Sequence, residues 1–214
     1  MRRRFTRSGA RGPRPFPRPE QPPGTLGDVT AAPLRSVLAV VLAGGTSRRF
    51  GGGDKTAAAL GGTTVTGALV ASLGALPVVV VGPEAGGGPA AALAAGLTGA
   101  EPSHVVVALA GDLPFAGPAV PRLLAALSEL PAEVDAALGV DPGGRRQYLL
   151  AAYRAAPLRR ALEADPGPDG AAMRSVVARL RVCEVPVTAR EALDVDTAAD
   201  LERARSLWPG EGDP

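Results

Sequence analysis

Residues 42–55 read LAGGTSRRFGGGDK, and the interpretation of the whole chain turns on them. An unbroken apolar run, Val37 to Leu42, leads into the stretch and fits a strand buried on both faces. An alanine- and leucine-rich segment that fits a helix follows. Strand, glycine-rich loop and helix in that order form a phosphate-binding layout. Gly44, Gly45, Gly51, Gly52 and Gly53 let backbone N–H groups come close to a ligand, and Arg48, Arg49 and Lys55 bring positive charge to the same loop. The ligand implied is an anion, and a nucleotide fits. Lys55 carries a further signal, because it is the one lysine among 23 Lys and Arg residues. A compact ammonium kept in so arginine-biased a chain suits phosphate contact; the bland alternative is a lysine left on a solvated loop.

Around that loop, 214 residues at 46% hydrophobic content are enough for one sizeable core, built on Val, Leu and Ala because aromatics make up only 3%. The net charge of +2 conceals an asymmetry. Residues 1–34 hold seven Arg against Glu20 and Asp28, which leaves the remainder slightly acidic. Nucleic-acid binding by the domain is therefore not indicated. A single cysteine, Cys183, excludes an internal disulfide and a cysteine-cluster metal site, and its apolar surroundings read as a structural strand position. No segment reaches the roughly 18 to 20 apolar residues of a membrane span. Arg2, Arg3 and Arg4 are not followed by an apolar core before Pro13, so the N-terminus does not read as a secretory signal, and the cytoplasm is the expected location.

In chain order, residues 1–34 mix arginine and proline too densely to bury apolar surface and are expected to be a disordered tail. A folded domain is expected over residues 35–208, with a short C-terminal tail at 209–214. Within it the pattern predicts a helix over residues 64–73, a buried strand over 78–81, a small-residue helix over 90–97 and a third strand over 104–110. Strands alternating with helices predict a mostly parallel sheet with helices on both faces, where ligands gather at the carboxyl ends of the strands. Asp112 stands at such an end, although a carboxylate there could also cap the helix predicted over 120–130. Residues 134–138 and 148–153 read as consecutive strands joined by a polar turn, an antiparallel extension of the sheet. Helices near 158–164 and 171–180, a strand over 181–187 and a final helix from Ala198 complete the pattern. Thr197 and Asp200 have the spacing of a helix-capping pair, while Asp194 and Asp196, two apart in an extended segment, would point the same way.

A cationic glycine loop, an aspartate at a strand end and a second aspartate pair near the C-terminus make a constellation. A hard divalent ion such as Mg²⁺ is commonly held by one or two carboxylates plus substrate phosphates, so Asp112 and Asp196, if they converge, would form its site. The chemistry indicated is transfer at a nucleotide's phosphates. The loop lacks the Gly-Lys-Ser/Thr of a Walker A motif. His104 is the single histidine and opens a strand, which leaves no Ser-His-Asp set to propose.

The segments LAGGTSRRFGGGDK, GGGPAAALAAGL, AGDLPF, RRQYLLAAYR and DVDTAADL resemble, in the same order, the nucleotidyltransferases of the molybdenum cofactor guanylyltransferase (MobA-like) type, over about residues 36–207. The resemblance implies a three-layer Rossmann-like α/β fold. It also implies transfer of a nucleoside monophosphate, from GTP in the leading case, to a phosphorylated acceptor, molybdopterin, with Mg²⁺ and release of pyrophosphate. Leu42, Ala43, Gly44, Gly45, Arg49, Lys55, Gly88 and Asp112 would contact the nucleotide. Arg49 and Lys55 would hold the triphosphate and stabilise developing charge, and Asp112 with Asp196 would hold the metal. Arg146, Gln147 and Tyr148 match a segment lying towards the acceptor. Two departures stand out. The interval at residues 82–88 is shorter than in such guanylyltransferases and carries Glu84 as its sole acid, and the C-terminal motif reads DVDT where asparagines are more usual. A transferase using CTP or another phosphorylated acceptor is the runner-up, and a nucleotide-binding module that has lost turnover is the alternative from another class.

Overall fold

The structure, a computed structural model, describes residues 37–44, 55–101 and 104–208. The tails expected at 1–34 and 209–214, together with Gly45, Arg48, Arg49, Gly51, Gly52 and Gly53 of the glycine loop, lie outside the described residues. Strand β1 (Val37–Leu42) sends Ala39 and Val41 to one face and Val40 and Leu42 to the other, and all four are buried. An apolar run with no polar alternation is stable only in that two-sided setting. Parallel neighbours flank it, β4 (Val78–Val81) on one side and β5 (Val105–Ala110) on the other. Next to β5 comes β7 (Arg146–Arg154), antiparallel to β5 and to β6 (Ala136–Val140), and β8 (Val182–Pro186) closes the sheet parallel to β6. The order is thus β4-β1-β5-β7-β6-β8, with β7 running against the other five. That is the antiparallel extension expected from two consecutive strands, except that the second of them folds back between β5 and β6. Asp141 Oδ1 fixes the connecting turn by accepting from the N–H groups of Gly143 and Arg145 at 2.9 and 3.0 Å.

Helices cover both faces. On one, α2 (Gly88–Gly96), α4 (Ala155–Glu163) and α5 (Met173–Val177) place Leu93, Leu158 and Val176 over Val40, Ala108 and Leu138. On the other, α1 (Val65–Ser72) and α3 (Val120–Glu129) place Leu69, Leu123 and Leu127 over Val41, Val107 and Leu109. The spacing of Val120, Leu123 and Leu127 gives α3 one apolar stripe. Each such fully buried side chain is worth about 1.5–3 kcal/mol. The small residues of α2 serve close packing: a Cβ on Gly96 would collide with Val40 Cγ1, so only glycine lets the helix settle on β1 and β4.

Some elements differ from expectation. A short hairpin, β2 (Ala59–Leu60) with β3 (Thr63–Thr64), sits between the glycine loop and α1 and turns at Gly61, φ +59°. Two-residue strands are too short to show a period in the sequence. The helix expected over 171–180 is confined to α5, because the chain from Ala178 to Leu180 tightens into turns before β8. At the end of the domain, α6 (Ala198–Leu207) has the full capping pair: Thr197 Oγ1 accepts from the Asp200 N–H, and Asp200 Oδ2 accepts from the Thr197 N–H at 2.8 Å. Among the described residues no helix is long and apolar enough to cross a membrane.

Candidate active site

A cleft of about 410 Å³ opens where the carboxyl ends of β4, β1 and β5 meet. Leu42, Gly44, Gly88 and Asp112 line it. Ala43, between two of them, donates its N–H to the Val81 carbonyl at 2.8 Å. Lys55 opens a 3-10 turn, Lys55–Ala57, and is described by its backbone alone; Thr56, the next residue, is buried in the cleft wall. Arg49 and Gly45 fall outside the described residues.

Glycine is required at two points, Gly44 in this wall and Gly111 beside it. A Cβ on Gly44 would lie 2.8 Å from the backbone of Pro83, so the β1 loop and the segment after β4 can meet only without a side chain there. A Cβ on Gly111 would lie 2.9 Å from the Leu42 carbonyl, to which the Gly111 N–H itself donates at 2.9 Å. Thr66 Oγ1, near the start of α1, donates to the Gly111 carbonyl at 2.8 Å. Asp112 is therefore carried on a turn tied to both β1 and α1, and it is not the cap of α3, which starts from Ala119.

The structure brings the C-terminal aspartates to this turn. The Val195 N–H donates to the Asp112 carbonyl at 3.0 Å. Leu193 and Val195 are buried and alternate with the half-buried Asp194 and Asp196, as an extended segment requires. Their apolar partners include Phe115, of the same turn as Asp112, with Leu60, Val65 and Leu201. Trp208 stacks at an angle on Phe115 with ring centroids 6.2 Å apart, and the Arg190 guanidinium lies 4.7 Å from the Phe115 ring centroid. Burial pushes the Asp194 carboxyl up, as do the like charges of Asp196 and then Asp112, while Arg145 opposes them. Three acids thus crowd one region, a charge arrangement that a cation relieves. Among the described residues no group of three or more His, Cys, Asp or Glu side chains is set to hold a metal.

A polar anchor outside the cleft holds the approach to this segment. Glu191, 6% exposed, accepts from Arg122 of α3 through both oxygens at 3.0 and 2.8 Å, and from the Thr188 N–H and hydroxyl at 2.8 and 3.0 Å. Burial favours its neutral form, but the bonds from Arg122 and Thr188 outweigh it and hold the carboxyl below its ordinary value.

The sequence reading did not single out Thr56, Leu149 or Glu191. Thr56 adjoins the lone lysine, which is the signal that pointed nearest to it. Leu149 lines the cleft, whereas Arg146 and Gln147, just before it, are engaged elsewhere, with Glu184 at 2.6 Å and Asp141 at 2.9 Å. His104 accepts from the Glu101 N–H at 3.1 Å in the turn before β5, a structural role. Cys183 is partly buried in β8, and burial pushes its thiol up, away from the reactive thiolate.

The model of the MobA-like NTP transferase domain matches residues 39–184. No curated protein matches the sequence. Among solved structures, molybdopterin-guanine dinucleotide biosynthesis protein A from Archaeoglobus fulgidus aligns at a TM-score of 0.59 and 22% identity, covering 79% of this chain and 97% of that one. The 2-C-methyl-D-erythritol 4-phosphate cytidylyltransferase from Thermus thermophilus aligns at 0.58 and 20% identity, over 78% and 96%. Rv0371c from Mycobacterium tuberculosis, in complex with manganese, aligns at 0.56 and 22% identity, over 80% and 98%.

Proposed function

We propose, from the premise that the chain belongs to the MobA-like NTP transferase family and is a nucleotidyltransferase, that it transfers GMP from GTP to molybdopterin with Mg²⁺. The observation that carries this reading is the bond from the Val195 N–H to the Asp112 carbonyl, which brings two carboxylate-bearing segments to one side of a glycine-walled cleft. An Archaeoglobus fold neighbour named for molybdopterin-guanine dinucleotide biosynthesis supports the acceptor, and a neighbour in complex with manganese supports a divalent ion. Residues 35–208 act as one catalytic domain, the two tails lie outside it, and the reaction takes place in the cytoplasm.

In the reaction, an oxygen of the acceptor phosphate forms a bond to the α-phosphorus of GTP while the bond to the β-phosphate oxygen breaks, and pyrophosphate leaves. The acceptor is its own nucleophile, so no side chain is phosphorylated. Leu42, Ala43, Gly44, Gly45 and Gly88 present backbone to the nucleotide. Arg49 and Lys55 hold the triphosphate and offset the charge that gathers on the departing pyrophosphate. Asp112 and Asp196 would hold Mg²⁺, which when bound would neutralise phosphate charge and polarise the α-phosphate. Thr66 and the Phe115 cluster keep the Asp112 turn in place, so the carboxylates need little rearrangement when substrate enters.

Mass spectrometry after incubation with GTP, Mg²⁺ and molybdopterin tests the proposal. Guanylylated molybdopterin, absent with Asp112→Ala, is the expected product. A cytidylyl product formed from CTP instead would move the assignment to a same-fold transferase with another base. Absence of product from every triphosphate, with nucleotide binding that survives Asp112→Ala, would make the chain a binding module.

A further inference from the structure

We infer that the outer edge of β4 is a pairing surface for a second copy of this chain, the two β4 strands running antiparallel about a twofold axis at Val79. Strand β4 is an edge of the six-stranded sheet, and the chain leaves it through a 3-10 turn, Pro83–Ala85, directly into α2. No described segment returns to cover it. The Pro77 and Val81 carbonyls accept from the N–H groups of Ala39 and Ala43, in β1 and just after it, so residues 77, 79 and 81 turn their polar groups inward. Val78 and Val80 therefore turn theirs outward. Both ends of this edge are closed by turns: the Leu76 N–H donates to the Leu73 carbonyl at 3.3 Å, and the Gly82 carbonyl accepts from the Ala85 N–H at 3.3 Å. Val78 and Val80 remain, and among the described residues nothing bonds to their outward N–H and C=O groups.

The surface around this edge lacks charge. Val79 and Val80 are 38% and 50% exposed, and Leu207 is the one other large hydrophobic side chain so exposed among the described residues. Glu84 is the single charged residue in 56–100, in a chain that is 21% charged. That stretch supplies β4 together with α1 and α2, the helices on its two faces. On the Val78 face an apolar groove of about 420 Å³, its wall including Leu73, Leu76, Val120 and Leu124, opens between the end of α1 and the start of α3. The opposite edge of the sheet differs. Strand β8 bears Glu184, paired with Arg146 at 2.6 Å, and ends in Pro186, and a charge and a proline both close an edge to pairing.

These features select the occupant. Setting Val78 against Val80 of the second copy, and Val80 against its Val78, gives every outward N–H and C=O a partner, with the two Val79 residues facing each other at the centre. Four residues of strand span only about 13 Å, and a stable interface buries about 800 Å² per partner, so the flanking surface takes part as well. Being free of charge, it meets its own copy without desolvating an ion. The Arg-rich residues 1–34 would instead lay guanidinium groups over valines. Because the pairing is isologous and β8 is closed, assembly stops at a dimer.

Sedimentation velocity of the full chain, on wild type, Val80→Lys and Leu207→Lys, tests the assignment, with thermal unfolding to report that each variant is folded. Wild type and Leu207→Lys are expected at the mass of a dimer and Val80→Lys at that of one chain, its dimer affinity lowered at least ~100-fold, the scale of burying an unpaired charge. Oxidation with diamide reads the register. Val79→Cys sets two thiols opposite each other, with Cα atoms about 4.5 Å apart and within disulfide reach, whereas Val80→Cys faces Val78 of the second copy. Crosslinked dimer from Val79→Cys alone is expected, with wild type, which carries only Cys183, as the control. A monomeric wild type, a dimer that survives Val80→Lys, or crosslinking as strong in Val80→Cys as in Val79→Cys would overturn the proposal. Amide exchange identifies any other cover: protection of the Val78 and Val80 N–H groups that grows with protein concentration supports pairing of copies, while protection in a monomeric wild type would assign the edge to the chain's own remaining residues and overturn it.

Discussion

Replacement of Glu191 by Gln keeps the volume of the side chain and removes its charge, which makes it a direct probe of the anchor behind the active-site aspartates. In the native protein the carboxylate is buried, takes both arms of Arg122 and two bonds from Thr188, and stays ionised below its ordinary value of 4.5. Glutamine retains an acceptor for Thr188 but gives Arg122 at most one. Because Arg122 is 46% exposed and can rehydrate, the loss belongs at the modest end for a broken buried pair, about 2 kcal/mol at neutral pH. For a domain of this size that corresponds to a fall in Tm of about 4–8 °C. A depressed folded-state pKa gives stability that is complete above the unfolded value and is lost as pH falls through the folded one. The Tm gap between wild type and Glu191→Gln should thus be full at pH 7, hold down to the ordinary value of 4.5 and narrow as pH falls below it through the lowered folded value. Circular dichroism melts across this range measure it. A gap that does not narrow below the ordinary value, or no gap at pH 7, would refute the account of the anchor. Since the turn from Thr188 to Glu191 delivers Asp194 and Asp196, the same variant should also need more Mg²⁺ for half-maximal turnover.

Three further substitutions probe the site itself. Phe115→Ala removes the ring that joins the Asp112 turn to Trp208, Leu193 and Val195, and should cost about 3–5 kcal/mol in urea unfolding, whereas Phe115→Leu should recover much of it. A loss below 1 kcal/mol for the alanine variant would show that the cluster does not hold the turn. Gly44→Ala places a Cβ against the Pro83 backbone and should weaken nucleotide binding in equilibrium dialysis while the far-ultraviolet spectrum stays native; unchanged affinity would mean that the two walls need not meet so closely. Lys55→Ala should lower turnover at least ~100-fold, the scale of losing one electrostatic stabiliser, and near-normal turnover would remove the phosphate-binding role assigned to the single lysine.

The layers of the fold were legible because burial on both faces leaves a plain mark. Val37 to Leu42 carry no polar alternation because helices cover the sheet on each side there; Val78 to Val81 carry none either, yet as the edge strand they leave Val79 and Val80 exposed, so the expectation of a buried strand at 78–81 holds for Val81 and not for these two. The hairpin at Ala59 and Thr64 left no mark, since two-residue strands have no period, and the fold-back of β7 between β5 and β6 depends on pairing partners that local pattern does not encode. At the site, Asp112 and Asp196 could be named from strand-end position and from spacing, 84 residues apart in the chain. That their two segments meet rests on Phe115, Leu193 and Val195 finding one another, a tertiary event. Glu191 was invisible for the same reason: it acts through Arg122, a residue distant in sequence.

Metal-dependent pyrophosphate release tests the central claim most directly. With molybdopterin present, each of the four nucleoside triphosphates is offered to wild type and to Asp112→Asn, with Mg²⁺ and then with the ion removed by chelation. The account predicts release that is greatest with GTP, abolished by chelation, and at least ~100-fold slower in Asp112→Asn while that variant still binds nucleotide. Release that persists without a divalent ion, or that proceeds undiminished in Asp112→Asn, would contradict it.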